Sequence, residues 1–233
     1  RLATRIIAVL ALLATLAQPP AALSQGRTLI RDAEIERTLD RLANPIYEAA
    51  GLGRDHVRML IALDPALNAF VAQGRTMVLY TGLLRRFDDP GAIIGVIAHE
   101  VGHLTGGHLA RRRIVAEGLS GPALLGAIAG VAAGVAAGSG EAAAGLAIGG
   151  QEAVRRAFLK YSRAEEAAAD QAGVAYMTRA GIDPAGVLEV LRLFRGQEVF
   201  QSDRLDPYVQ SHPLSGERLS LLERKVEQSP ARG

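Results

Sequence analysis

The stretch from Ala92 to Leu104 constrains this chain most. It carries no charge before Glu100 and reads as a helix that is apolar all round, which only the interior of a fold accommodates. Asp89-Pro90 supply an N-cap and a proline at the first helical position, and Gly106-Gly107 end the run. Yet this buried helix contains His99-Glu100-Val101-Gly102-His103. Residues four apart share one helix face, so both imidazoles can reach one ion. Glu100 lies about 100° round the helix. From there it can take a proton from a metal-activated water without being a ligand. Without a cation, burying these groups would leave a carboxylate that costs several kcal/mol or turns neutral. The expected cofactor is therefore one Zn²⁺ per chain.

Composition narrows the rest of the ligand set. The 233 residues include no cysteine, so thiolate sites, disulfides and a cysteine nucleophile are excluded. A third ligand must be histidine, carboxylate or backbone oxygen. In an extended HExxHxxGxxH pattern Gly106 fits, but the last position is Leu109. On a continued helix His108 would point about 140° away from His103, so His108 reads as a structural or surface histidine. A better source is the Ala-rich stretch Ser162-Arg163-Ala164-Glu165-Glu166 to Asp170. Glu166 and Asp170 are four apart and share a face. Glu166 can ligate while Asp170 holds the free ring nitrogen of a ligating histidine. Glu165 is the rival ligand.

Around these helices the chain reads as mostly helical α+β with a small sheet. Thr28 to Leu42 has helical periodicity, which Asn44-Pro45 should break before a short helix to Gly51. Val57–Leu63, Ala69–Ala72 and Met77–Thr81 read as strands, with Gly74 as a turn. A long helix should run from Gln151 to Ala180, another from Asp183-Pro184 to Phe194, and a last one from Glu217 to Glu227.

The apolar residues 6–17, preceded by Arg1 and Arg5 and followed by small residues to Ser24, form an export-signal pattern. Residues 1–24 are read as that signal, with an uncleaved anchor as the open alternative, and 25–233 as one catalytic domain. Within it, 119–150 is almost uncharged and carries Gly126, Gly130, Gly134 and Gly138 at every fourth position. This suggests a tight helical hairpin that folds on the protein or touches a membrane surface. The net charge is +2, aromatics make up 4%, and Arg111-Arg112-Arg113 is the one basic run, so nucleic acid is not an expected partner.

Several motifs together resemble the membrane-linked gluzincin proteases, a group that includes HtpX-like, BepA-like and CAAX prenyl endopeptidases. They are HExxH, the stretch Ser162 to Gly173, Asn68-Ala69-Phe70, Tyr80-Thr81-Gly82-Leu83-Leu84, and Ser211-His212-Pro213 with Arg218 six residues after the histidine. The resemblance implies a gluzincin fold with a small antiparallel sheet and a Gly/Ala-rich hairpin insertion. It implies His99, His103 and Glu166 as zinc ligands, Glu100 as general base, and Asp170 behind a ligating histidine. It further implies His212 and Arg218 in the active site, with His212 approaching the metal to restrain activity.

The activity implied is peptide-bond hydrolysis of unfolded or misassembled envelope polypeptides in the bacterial periplasm, at or near a membrane. A metal-stabilised chaperone or scaffold with little proteolysis is the alternative. If the strand at Met77–Thr81 is a sheet edge near the metal, it would bind extended substrate by strand addition.

Overall fold

The computed structural model describes residues 28–53, 57–72, 75–111, 162–200, 212 and 216–232. The expected export signal (1–24), the turn residue Gly74 and the Gly/Ala-rich hairpin (119–150) lie outside the described residues. Among those described, no helix is long and apolar enough to cross a membrane.

Strand β1 (Leu29–Ile30) leads into helix α1 (Ala33–Ala49). Asp32 caps α1, its carboxylate accepting from the amides of Glu34 and Ile35. The helix starts later than the periodicity suggested, because Leu29 and Ile30 pair with Ala62 and Ile61 instead. Nor does Pro45 break it: α1 runs straight through the proline. An interior proline costs about 3 kcal/mol. On either side of it Ala43, Ile46 and Tyr47 are fully buried, and each large side chain so buried contributes about 1.5–3 kcal/mol. Packing outweighs the local signal.

The sheet continues with β2 (Arg58–Ala62), β3 (Ala69–Ala72) and β4 (Thr76–Tyr80). Its order is β1-β2-β4-β3. It is mixed rather than purely antiparallel, because β2 and β4 pair in parallel, Leu60 opposite Val78. The β3–β4 pair is antiparallel, with Phe70 also opposite Val78. The strand at Met77–Thr81 is thus central, and β3 is the edge. Alternation divides the sheet cleanly. Ile61, Ala69, Met77 and Leu79 face the main core, while Ala62, Val78 and Tyr80 form a smaller cluster with Phe70 on the other face.

A short helix α2 (Thr81–Arg86) links the sheet to α3 (Pro90–Thr105). Asp89 caps α3 through the Gly91 amide, and every residue from Ala92 to His103 is buried. The all-apolar helix therefore lies at the centre, as its composition demanded. Helix α4 spans 162–179 and stops at Gly181, whose φ is 71°, a conformation glycine adopts without strain. Helices α5 (Ala185–Phe200) and α6 (Gly216–Glu227) complete the described fold.

Small residues set the spacing around α3. A Cβ on Gly102 would lie 2.6 Å from the Ala169 carbonyl oxygen of α4, and one on Gly186 of α5 would lie 2.2 Å from the Gly91 oxygen. Backbone therefore packs almost on backbone at both contacts. Gly102→Ala is expected to destabilise the protein by about 1–3 kcal/mol, the usual range for overpacking. Urea denaturation checks this, and an unchanged midpoint would show that α3 and α4 can part without cost.

Candidate metal centre

The close α3–α4 contact brings the two halves of the site together. His99 and His103 project from one face of α3, and Glu166 meets them from α4. His99 Nε2 lies 3.1 Å from His103 Nε2 and 3.2 Å from Glu166 Oε2, and His103 Nε2 lies 3.2 Å from Glu166 Oε1. His212, from the segment before α6, adds Nδ1 at 3.0 Å from Glu166 Oε2 and 3.4 Å from His99 Nε2. All four residues are buried, with one donor atom of each within 4.8 Å of the others.

This spacing fits a small cation. The corners of a tetrahedron with bonds of about 2.0–2.1 Å lie about 3.3 Å apart. The proton count agrees. His99 Nδ1 sits 2.9 Å from Asp170 Oδ1, and His103 Nδ1 sits 2.9 Å from His108 Nδ1. With protons placed on those two Nδ1 atoms, both Nε2 lone pairs converge with the Glu166 carboxylate on one point. Lone pairs facing one another at that range repel unless a cation or a proton lies between them.

Charge points the same way. Glu100, Glu166 and Asp170 are all buried, with Arg218 the buried guanidinium beside them. Arg218 grips Asp170 through Nε and through Nη2 at 3.0 Å, and its Nη1 lies 3.3 Å from Glu166 Oε2. A divalent cation would offset negative charge that one guanidinium leaves uncompensated.

The protonation of these groups follows from the same contacts. Burial works against a charged His99, but hydrogen bonds to Asp170 and Glu166 prevail and lift its pKa to about 9. Burial pushes His103 down to about 3 despite Glu166. Glu166 is held well below the ordinary carboxylate range; burial opposes this, and His212, His103 and His99 outweigh it. Burial also opposes ionisation of Asp170, yet Arg218 and His99 hold it at about 2. Glu100 is pushed up by burial, with His212 and His99 pulling the other way.

Glu100 stands beside the cluster rather than in it. Its Oε2 accepts a hydrogen bond from the Val71 amide of β3 at 3.1 Å, and its Oε1 lies 3.3 Å from His212 Nε2. His212 thus touches both the candidate metal corner and Glu100. Glu165 is buried as well, but it is not in the four-residue group.

The structure therefore brings together His99, Glu100, His103, Glu166, Asp170, His212 and Arg218 of the residues singled out from the sequence, and leaves the rival Glu165 outside the metal group. Sequence reasoning missed two contributors. Val71 acts through a backbone amide, which no side-chain pattern announces. His108, read as structural or surface, is buried, and its contact with His103 was not foreseen. The glycine pair before it held the clue: Gly107 has φ 64°, so the helical angle that sent His108 away does not apply.

Sequence comparison agrees with this geometry. The sequence profile of peptidase family M48 matches residues 29–226. The beta-barrel assembly-enhancing protease of Yersinia pestis is 25% identical over 202 residues, covering 86% of this chain and 40% of that protein. The protein of that name from Escherichia coli K12 is 24% identical over 200 residues, again 86% and 40%. The mitochondrial metalloendopeptidase OMA1 of Arabidopsis thaliana is 29% identical over 170 residues, covering 70% of this chain and 30% of the relative. The chain thus spans about two fifths or less of the length of these relatives. With the family profile running from β1 to α6, across both helices that carry the buried His and Glu cluster, the chain belongs to peptidase family M48.

Proposed function

We propose that this chain is a zinc-dependent endopeptidase that hydrolyses peptide bonds of misfolded or stalled envelope proteins after export to the periplasm. The observation that carries the activity is the buried four-donor cluster with Glu100 at its side, in a chain of a peptidase family. The envelope setting is supported by the bacterial relatives, which are beta-barrel assembly-enhancing proteases, and by the export-signal pattern in residues 1–24. Contact with a membrane surface through 119–150 belongs to the same reading.

His99, His103 and Glu166 would hold the ion. Zn²⁺ bound by such ligands acidifies water and polarises a carbonyl. Glu100 then accepts the proton of the attacking water and passes it to the leaving amine. Burial raises the Glu100 pKa, which favours its taking up a proton. The Val71 amide fixes one Glu100 oxygen, leaving the other for the proton. Asp170 orients His99, and Arg218 holds Asp170 and Glu166 in place.

Extended substrate would add to the edge of β3, not to the central β4. The Val71 amide points from that edge to Glu100, so a strand bound there would lie beside the base. His212 stands in the way. Its two ring nitrogens face Glu166 and Glu100, so it must swing out before water and substrate enter together. The same closed arrangement supports the second reading, a metal-stabilised chaperone or scaffold that cleaves rarely.

Glu100→Gln is expected to keep zinc but lose casein cleavage by a factor of about 10²–10⁴, the usual worth of a general base. Cleavage near the wild-type rate would overturn this mechanism. If Glu100→Gln rescues envelope stress as well as wild type does, the scaffold reading stands instead. Glu166→Ala should abolish zinc binding measured by elemental analysis, and an unchanged metal content would point to Glu165. Asp170→Ala should weaken zinc about 10–100-fold, the common effect of losing a carboxylate behind a ligating histidine. His212→Ala is expected to raise the cleavage rate with zinc retained; a fall would give His212 an assisting role.

A further inference from the structure

His108 takes no part in the reaction proposed above, yet the fold goes to some length to place it. Gly107, at φ 64°, breaks α3 and turns the chain so that residues 108–111 form a separate helical turn. The imidazole swings back over Gly106, where a Cβ would lie 2.4 Å from His108 Nε2. A side chain on Gly106 would therefore exclude the ring from its place. The ring is buried, at 4% exposure. It meets His103 edge-on, with centroids 5.0 Å apart and planes at 80°. Nitrogen faces nitrogen across this contact, Nδ1 to Nδ1 at 2.9 Å.

Two nitrogens at that distance share one proton. If His108 carries it, His103 must accept at Nδ1, and a neutral His103 ring then bears its own proton on Nε2. That proton would point at His99 Nε2 and Glu166, and the nitrogen could not ligate. If His103 carries it, the Nε2 lone pair is free and aimed into the cluster. A ring nitrogen's state is set by the hydrogen bond its partner nitrogen makes. His99 has the Asp170 carboxylate as its acceptor; at His103 that place is taken by an imidazole.

We propose that His108 is the positioning residue for His103: its Nδ1 accepts the proton on His103 Nδ1 and so holds His103 Nε2 toward the metal. This rests on the zinc-site reading. The role is distinct from that of Asp170, because His108 supplies an acceptor without adding a negative charge to an interior that already holds Glu100, Glu166 and Asp170.

The test uses the 233-residue chain and zinc, with affinity measured by competition against a chromophoric chelator. His108→Leu, which fills the space without an acceptor, is expected to bind zinc about 10–100-fold more weakly. His108→Asn, whose side-chain oxygen can stand near the Nδ1 position, is expected to stay within about threefold of wild type. Equal affinity of His108→Leu and wild type would overturn the proposal. So would His108→Asn falling as far as His108→Leu, because the ring's bulk rather than its acceptor would then matter. If the leucine variant does not fold, ¹⁵N shifts of the histidine rings in the zinc-loaded wild type still decide. The expected proton is on His103 Nδ1 with His108 Nδ1 bare, and a proton on His108 Nδ1 overturns the role. Wild type that takes up no zinc would overturn the zinc-site reading itself, an outcome separate from all of these.

Discussion

Glu100, Glu166 and Asp170 are buried side by side, and the rest of the structure answers that fact. Carboxylates taken out of water need partners close by. Here the partners are Arg218, the imidazoles of His99, His103 and His212, and the Val71 amide. They come from β3, α3, α6 and the segment before α6, while α4 carries two of the carboxylates. The cluster therefore ties distant segments into one centre, and a divalent cation would offset its uncompensated negative charge.

That centre exists only because α3 is wrapped closely. The helix has no polar face to present to water, and its neighbours approach to backbone contact at Gly102 and Gly186. Close approach does two things at once. It removes apolar surface from water, and it shortens the reach from α4 so that the Glu166 side chain arrives at the Nε2 atoms of α3. Stability and the site geometry depend on the same small residues.

Much of this was legible in the residues. HExxH on an uncharged helix, the Asp89 cap and the Glu166–Asp170 spacing each follow from helical periodicity, which is a local property. What misled was local too. Pro45 signalled a break, yet burial of Ile46 and Tyr47 carries α1 through it. The strand at Met77–Thr81 could bind substrate only as an edge; β3 took that place because β2 pairs in parallel with β4. Only the direction given to His108 failed, since it continued a helix that Gly107 in fact turns.

By itself the sequence determined which side chains carry chemistry and which faces they occupy, since a helix repeats every 3.6 residues whatever surrounds it. It also determined that α3 lies mostly inside, because Ala92 to Ala98 offer no polar side chain to water. Only the tertiary structure decided which atoms meet. The pairing of Val71 with Glu100, the grip of Arg218 on Asp170 and the turn of His108 onto His103 join residues through packing of separate segments or through one left-handed glycine. Such contacts depend on distances set by the whole core, and no periodicity in the sequence encodes them.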